Sequence, residues 1–140
     1  MAERGAAPEE PIRVHLEELY EEEAFETGIG LARAARARED GHPELAGIFE
    51  EIALDEARHL SLVARLLHPQ YVECDVEANL EGQRGGDRDA IERETRMAEV
   101  ARRAGLAREA ELFERLAADE RAHVAKIESA LARLRSGTPT

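Results

Sequence analysis

Two short motifs each place a carboxylate and an imidazole on one helix face: Glu56 with His59, and Glu120 with His123, both of the form E-x-x-H. Residues three apart on a helix are neighbours, so each pair offers an oxygen and a nitrogen donor to the same side. An acid precedes each motif by 33 residues, Glu23 in the first case and Asp87 in the second. Burying one charged carboxylate among helices costs several kcal/mol, and four buried together repel. Two divalent cations offset the four carboxylates, and two neutral imidazoles complete a set without net charge. Helical proteins build dinuclear carboxylate centres from this inventory, with one acid from each of two helices and E-x-x-H from each of the other two. Mixed oxygen and nitrogen ligands favour Fe or Mn over Ca or Mg, and Zn is also compatible. A lone E-x-x-H in a Glu-rich helical chain carries little information. Two copies in register, each with its acid at the same distance, carry much more; the bland alternative is a pair of satisfied core polar groups.

These residues need helices to hold them, and the sequence marks four. Gly and Pro divide the chain into segments from about Glu10 to Asp40, Pro43 to about Leu67, roughly Asn79 to Ala104, and from beyond Gly105 to near Arg135. Gly41 suits the left-handed position after a helix and Pro43 the first turn of the next. Gly82, Gly85 and Gly86 weaken the start of the third segment. The run "HPQYVECDVEA" has no helical period and reads as a crossover. Apolar residues recur in steps of three and four within each segment. In the second, the stripe is Leu45, Ile48, Phe49, Ile52, Glu56, His59, Val63, Leu66; in the fourth, Leu106, Ala110, Phe113, Leu116, Glu120, His123, Ile127, Leu131. Acids and histidines interrupt both stripes at the same place.

The two halves repeat at an offset of 64 residues. Phe49 falls on Phe113, Ala53 on Ala117, Asp55 on Asp119, Glu56 on Glu120, and His59 on His123. The same offset sets Glu23 over Asp87. The expected architecture is all-α: two repeated helical hairpins joined by one crossover into an antiparallel four-helix bundle over residues 10–135. Residues 1–9 and 136–140 are expected to be disordered.

The 140 residues amount to one domain. Lys plus Arg number 19 against 31 Asp plus Glu, a net charge of −12, which argues against nucleic acid or an anionic membrane as partner. Charged residues reach 36 % and aromatics only 4 %, as in amphipathic helices rich in Ala and Leu. A single cysteine, Cys74, excludes a disulfide framework and a four-cysteine iron or zinc site. No apolar run approaches the roughly 18 residues of a membrane span, and no signal-peptide core opens the chain. A cytoplasmic setting is expected.

With these residues in view the sequence resembles the rubrerythrin family of ferritin-like di-iron proteins, and most of all its reverse-rubrerythrin branch. The resemblance rests on "EAFETGIGLARAARAREDGHPELAGIFEEIALDEARH", on "DERAH", and on Asn79-Leu80 ahead of Asp87. It implies a ferritin-like bundle and two iron ions, held by Glu23, Glu56, Asp87 and Glu120 with His59 and His123. Glu26 matches the additional carboxylate of that branch, expected to take up a changed iron position during catalysis; its repeat counterpart is Ala90. Asp87 stands where the family has Glu, Gly30 where the family commonly has Tyr, and the family's rubredoxin domain has no counterpart in these residues. The implied activity is reduction of hydrogen peroxide with electrons from an external donor such as a rubredoxin, in a homodimer. Two alternatives stay open: iron handling, in which Fe(II) is oxidised by O2 or peroxide, and a structural bundle stabilised by its metal. Glu94, seven residues beyond Asp87, reads as an edge residue or a replacement ligand. Tyr20 reads as packing or as a neighbour of the site, Cys74 as a bystander, and His15, His42 and His68 as surface or capping residues.

Overall fold

A computed structural model describes residues 9–72 and 74–137. It contains α1 (Glu10–Glu39), α2 (Pro43–Leu67), a short 3-10 turn (Pro69–Tyr71), α3 (Val76–Arg103) and α4 (Ala107–Ser136). The class is all-α, as expected, with no strand among the described residues. The segments expected to be disordered fall largely on residues 1–8 and 138–140, outside the described residues. At the edges, Glu9 occupies the N-cap position of α1 and α4 runs through Ser136. The chain divides into two compact units between residues 73 and 74. Each unit is one helical hairpin, α1 on α2 and α3 on α4.

The two hairpins turn in the same way because the same residue type stands at the same place. Gly41 and Gly105 adopt φ of +84° and +74°, the left-handed conformation that lacks a steric cost only for glycine. The next amide then reaches back five residues: His42 N–H donates to Ala37 O at 2.8 Å and Leu106 N–H to Ala101 O at 2.9 Å. This is the Schellman closure of a helix end. Ion pairs Arg38–Glu50 and Arg102–Glu114 bridge the two helices of their respective hairpins at equivalent positions of the repeat.

Small residues form the contact inside each hairpin. Ala46, Ala53 and Val63 of α2 are buried, and so are their repeat counterparts Ala110, Ala117 and Ile127 of α4. The larger apolar residues of the stripes, such as Ile48 and Ile52, lie outside that contact. On α1 the buried positions are Gly30 and Ala34, and on α3 they are Asp87, Ala98 and Ala101. Closest approach comes at Gly30: a Cβ there would stand 2.9 Å from Ala53 Cβ and 3.6 Å from the Phe49 carbonyl oxygen. A side chain larger than glycine does not fit here without a shift of Ala53, which accounts for Gly30 where the family commonly has Tyr. Gly30→Ala is therefore expected to lower stability by about 1–3 kcal/mol, the usual cost of overpacking a close contact. Gly28→Ala, where a Cβ meets nothing within 4 Å, should instead raise it by up to about 1 kcal/mol through helix propensity. Thermal unfolding of both variants checks the pair.

α3 begins three residues earlier than its apolar stripe suggested. Asp75 caps it, accepting from Ala78 N–H at 2.8 Å, as an Asp at this position commonly does. The helix then runs unbroken through Gly82, Gly85 and Gly86, so their weaker propensity is overridden.

Candidate metal centre

In the first hairpin, α1 supplies Glu23 and α2 supplies Glu56 and His59. One ligand atom from each lies within 4.8 Å of the other two. His59 Nδ1 is 3.0 Å from Glu56 Oε2 and 3.6 Å from Glu23 Oε2. In the second hairpin, α3 supplies Asp87 and α4 supplies Glu120 and His123, again within 4.8 Å of one another. His123 Nδ1 lies 3.2 Å from Glu120 Oε2. Thus the helices bring together, three and three, the six residues that the repeat singled out. Asp87, although one methylene shorter than Glu, reaches its triad and is 4 % exposed, the one buried charged residue among those described.

Each triad carries one buried carboxylate oxygen with no hydrogen-bond partner among the described residues, Glu23 Oε2 and Asp87 Oδ2. Buried acceptors are almost always satisfied, and a buried anion needs a compensating charge. The donor set of one imidazole nitrogen and two carboxylates per hairpin, with one buried unsatisfied oxygen, fits a transition-metal cation in each.

The first triad shows its internal strain in its acidities. Hydrogen bonding with Glu56, followed by partial burial, pushes the Glu23 carboxyl above its ordinary value. Glu56 is held below the usual range, first by that same hydrogen bond and then by the one from His59. His59 is raised, chiefly by its bond to Glu56 and then by the charge of Glu23. One excess of negative charge thus holds protons that a cation would displace.

A sequence model of the Rubrerythrin family matches residues 16–131, most of the chain and both triads. The chain belongs to the rubrerythrin family. It is also similar to "Reverse rubrerythrin-1" of Clostridium acetobutylicum, 35 % identical over 81 residues. That stretch covers 58 % of this chain and 44 % of the relative, so the chain matches less than half the relative's length. Family membership brings the ferritin-like four-helix class and implies a di-iron centre, for which the two triads are the groups at hand.

The other residues singled out in the sequence fall elsewhere. Glu26, one turn beyond Glu23, is exposed and lies outside the triad. Glu94 is half-buried and pairs with Arg93, its Oε1 2.9 Å from the guanidinium; it joins no triad. Tyr20 packs edge-on against His68, with ring centroids 5.5 Å apart. His68 therefore has an aromatic partner in addition to its place at the end of α2. His42 stands 3.5 Å from Glu44, and Cys74 is exposed in the crossover. One residue beside the second triad, on the same helix stripe as Asp87, has no role that the sequence alone announces. Gln83 donates Nε2–H to Asp87 Oδ1 at 2.6 Å, and with Asp87, His123, Lys126 and Ile127 it lines a cleft. It stands four residues before Asp87, on the same helix face.

Proposed function

We propose that this chain is a non-haem di-iron oxidoreductase that reduces hydrogen peroxide with electrons from an external donor. The observation that carries the proposal is the duplicated triad, a matched pair of Asp/Glu–Glu–His sets with one unsatisfied buried oxygen each, in a member of the rubrerythrin family. Glu23, Glu56 and His59 would hold one iron ion, and Asp87, Glu120 and His123 the other. Two bound iron ions supply the two electrons that, with two protons, convert one hydrogen peroxide to two waters as ferrous iron becomes ferric. The chain's own part would be to bind and orient, the carboxylates and imidazoles of the two triads holding the ions in place. Glu26, a turn away and exposed, would be the additional carboxylate available to the site.

With Cys74 the single cysteine, these residues build no four-cysteine iron site, so re-reduction calls for a separate donor such as a rubredoxin. A homodimer and a cytoplasmic setting complete the proposal; among the described residues no helix is long and apolar enough to cross a membrane.

Protein loaded anaerobically with Fe(II) and mixed with peroxide should oxidise two irons per chain, and should turn over only when reduced rubredoxin or a chemical reductant is supplied. NADH alone should give no turnover. Oxidation of Fe(II) with release of Fe(III) and no sustained peroxide consumption would assign the chain to iron handling instead. Absence of any redox change would leave a structural metal.

A further inference from the structure

The two triads are alike in ligand type and unlike in what stands behind the acid. Gln83 Nε2–H reaches Asp87 Oδ1 at 2.6 Å, from one turn earlier on α3. A carboxylate has no hydrogen to offer an amide oxygen, so the amide nitrogen must be the atom that faces it. Sixty-four residues earlier the same position is Leu19, which has nothing to donate to Glu23. Asp87 is 4 % exposed and its second oxygen, Oδ2, has no hydrogen-bond partner among the described residues. One oxygen of the shorter acid is thus held by a charge-assisted bond, which is stronger and more directional than a neutral one. The other is left buried and unpartnered, in a residue whose carboxylate lies within 4.8 Å of ligand atoms of Glu120 and His123.

Resting on the reading that the triads hold cations, we propose that Gln83 is a positioning residue for Asp87. It engages Oδ1, sets the rotation of the carboxylate, and leaves Oδ2 as the single oxygen offered to the ion. Asp87 would then offer the second ion one oxygen, and the affinity of that site would depend on an amide that the first triad lacks. Glu23, one methylene longer, reaches its partners without such help. Gln83 and Asp87 form a matched pair, replacing the Leu19 and Glu23 of the first hairpin.

Partners that orient a ligand typically change metal affinity by 10–100-fold when removed. Co(II) titration, followed by visible absorption and by equilibrium dialysis, tests the proposal in four proteins: wild type, Gln83→Leu, Asp87→Ala, and the double variant Gln83→Leu/Asp87→Glu. Gln83→Leu should weaken one of the two Co(II) sites about 10–100-fold and alter its absorption, leaving the other site and the thermal unfolding of the metal-free protein close to wild type. The double variant rebuilds the Leu–Glu pairing of the first hairpin and should recover the lost affinity, a rescue that a purely structural role of Gln83 would not give. Gln83→Leu binding two Co(II) as wild type does, while Asp87→Ala loses one, would overturn the role of Gln83 and leave the triads standing. Two tight Co(II) ions in Asp87→Ala would instead overturn the reading of the triad itself. A double variant no tighter than Gln83→Leu would also count against the pairing.

Discussion

Asp87→Ala is expected to lower iron from two ions per chain to one, with the helices intact. Asp87 contributes the buried, unsatisfied oxygen of its triad, and without it only Glu120 and His123 remain to the ion. Removing a group that merely orients a ligand already costs 10–100-fold, so loss of the ligand itself should cost more than about 100-fold. Stability of the metal-free protein should barely fall. A buried carboxylate disappears, and with it an expensive desolvated charge, while Gln83 loses an acceptor that water replaces. Asp87→Glu should retain two ions. Glu26→Ala and Glu94→Ala should also retain two, since neither residue joins a triad. Metal content after anaerobic loading and desalting checks all four variants. Two equally tight ions in Asp87→Ala would show that Asp87 is no ligand and would turn attention to Glu94.

The six residues of the two triads stood out because they are repeated. A single E-x-x-H is noise, but Glu56/His59 and Glu120/His123 with acids 33 residues ahead cannot be produced by helical composition alone, and the helices bring them together as two triads. Pro43 and His68-Pro69 marked α2 to the residue, because proline leaves the backbone few choices. The start of α3 was less readable: Asp75 signals a cap, but no apolar period follows it until Leu80. The hairpin contacts were legible in part: Val63, Ala110, Ile127 and Leu131 of the stripes are buried. Large residues on a stripe attract notice, whereas the hairpin contacts run along Gly30, Ala34, Ala46 and Ala53 and their counterparts. Small residues allow helices to approach closely, and closeness leaves no trace in a hydropathy pattern. Gln83 was given no role for a related reason. A glutamine on a helix face has no distinctive chemistry until the acid one turn away proves to be buried.

In the Asp87→Ala background, which isolates the first triad, divalent-ion affinity should rise steeply with pH. Metal binding needs a neutral imidazole and ionised carboxylates. His59 and Glu23 both have raised pKa values, so each keeps its proton to higher pH than usual, and the ion must displace both. Below the raised values, affinity should fall by up to about tenfold per pH unit for each proton displaced. Lowering the pH from 7 to 5 should therefore weaken binding, the more so where both protons compete. Glu56, whose pKa is lowered, is ionised across that range and adds nothing to the slope. The metal-free fold should show the opposite trend. A group with a raised folded-state pKa stabilises the fold fully below its unfolded value and loses that contribution as pH rises through the folded value. His59 and Glu23 share this sign, although the exposure of His59, 56 %, keeps its effect small. Thermal protection by Zn(II) should therefore widen as pH rises from 5 to 7, the ion binding more tightly while the apo fold relaxes. Zn(II) titration with proton release measured in two buffers reports the same linkage directly. An affinity independent of pH over this range would mean that neither His59 nor Glu23 yields a proton to the ion, and that the first triad is held together by its own hydrogen bonds alone.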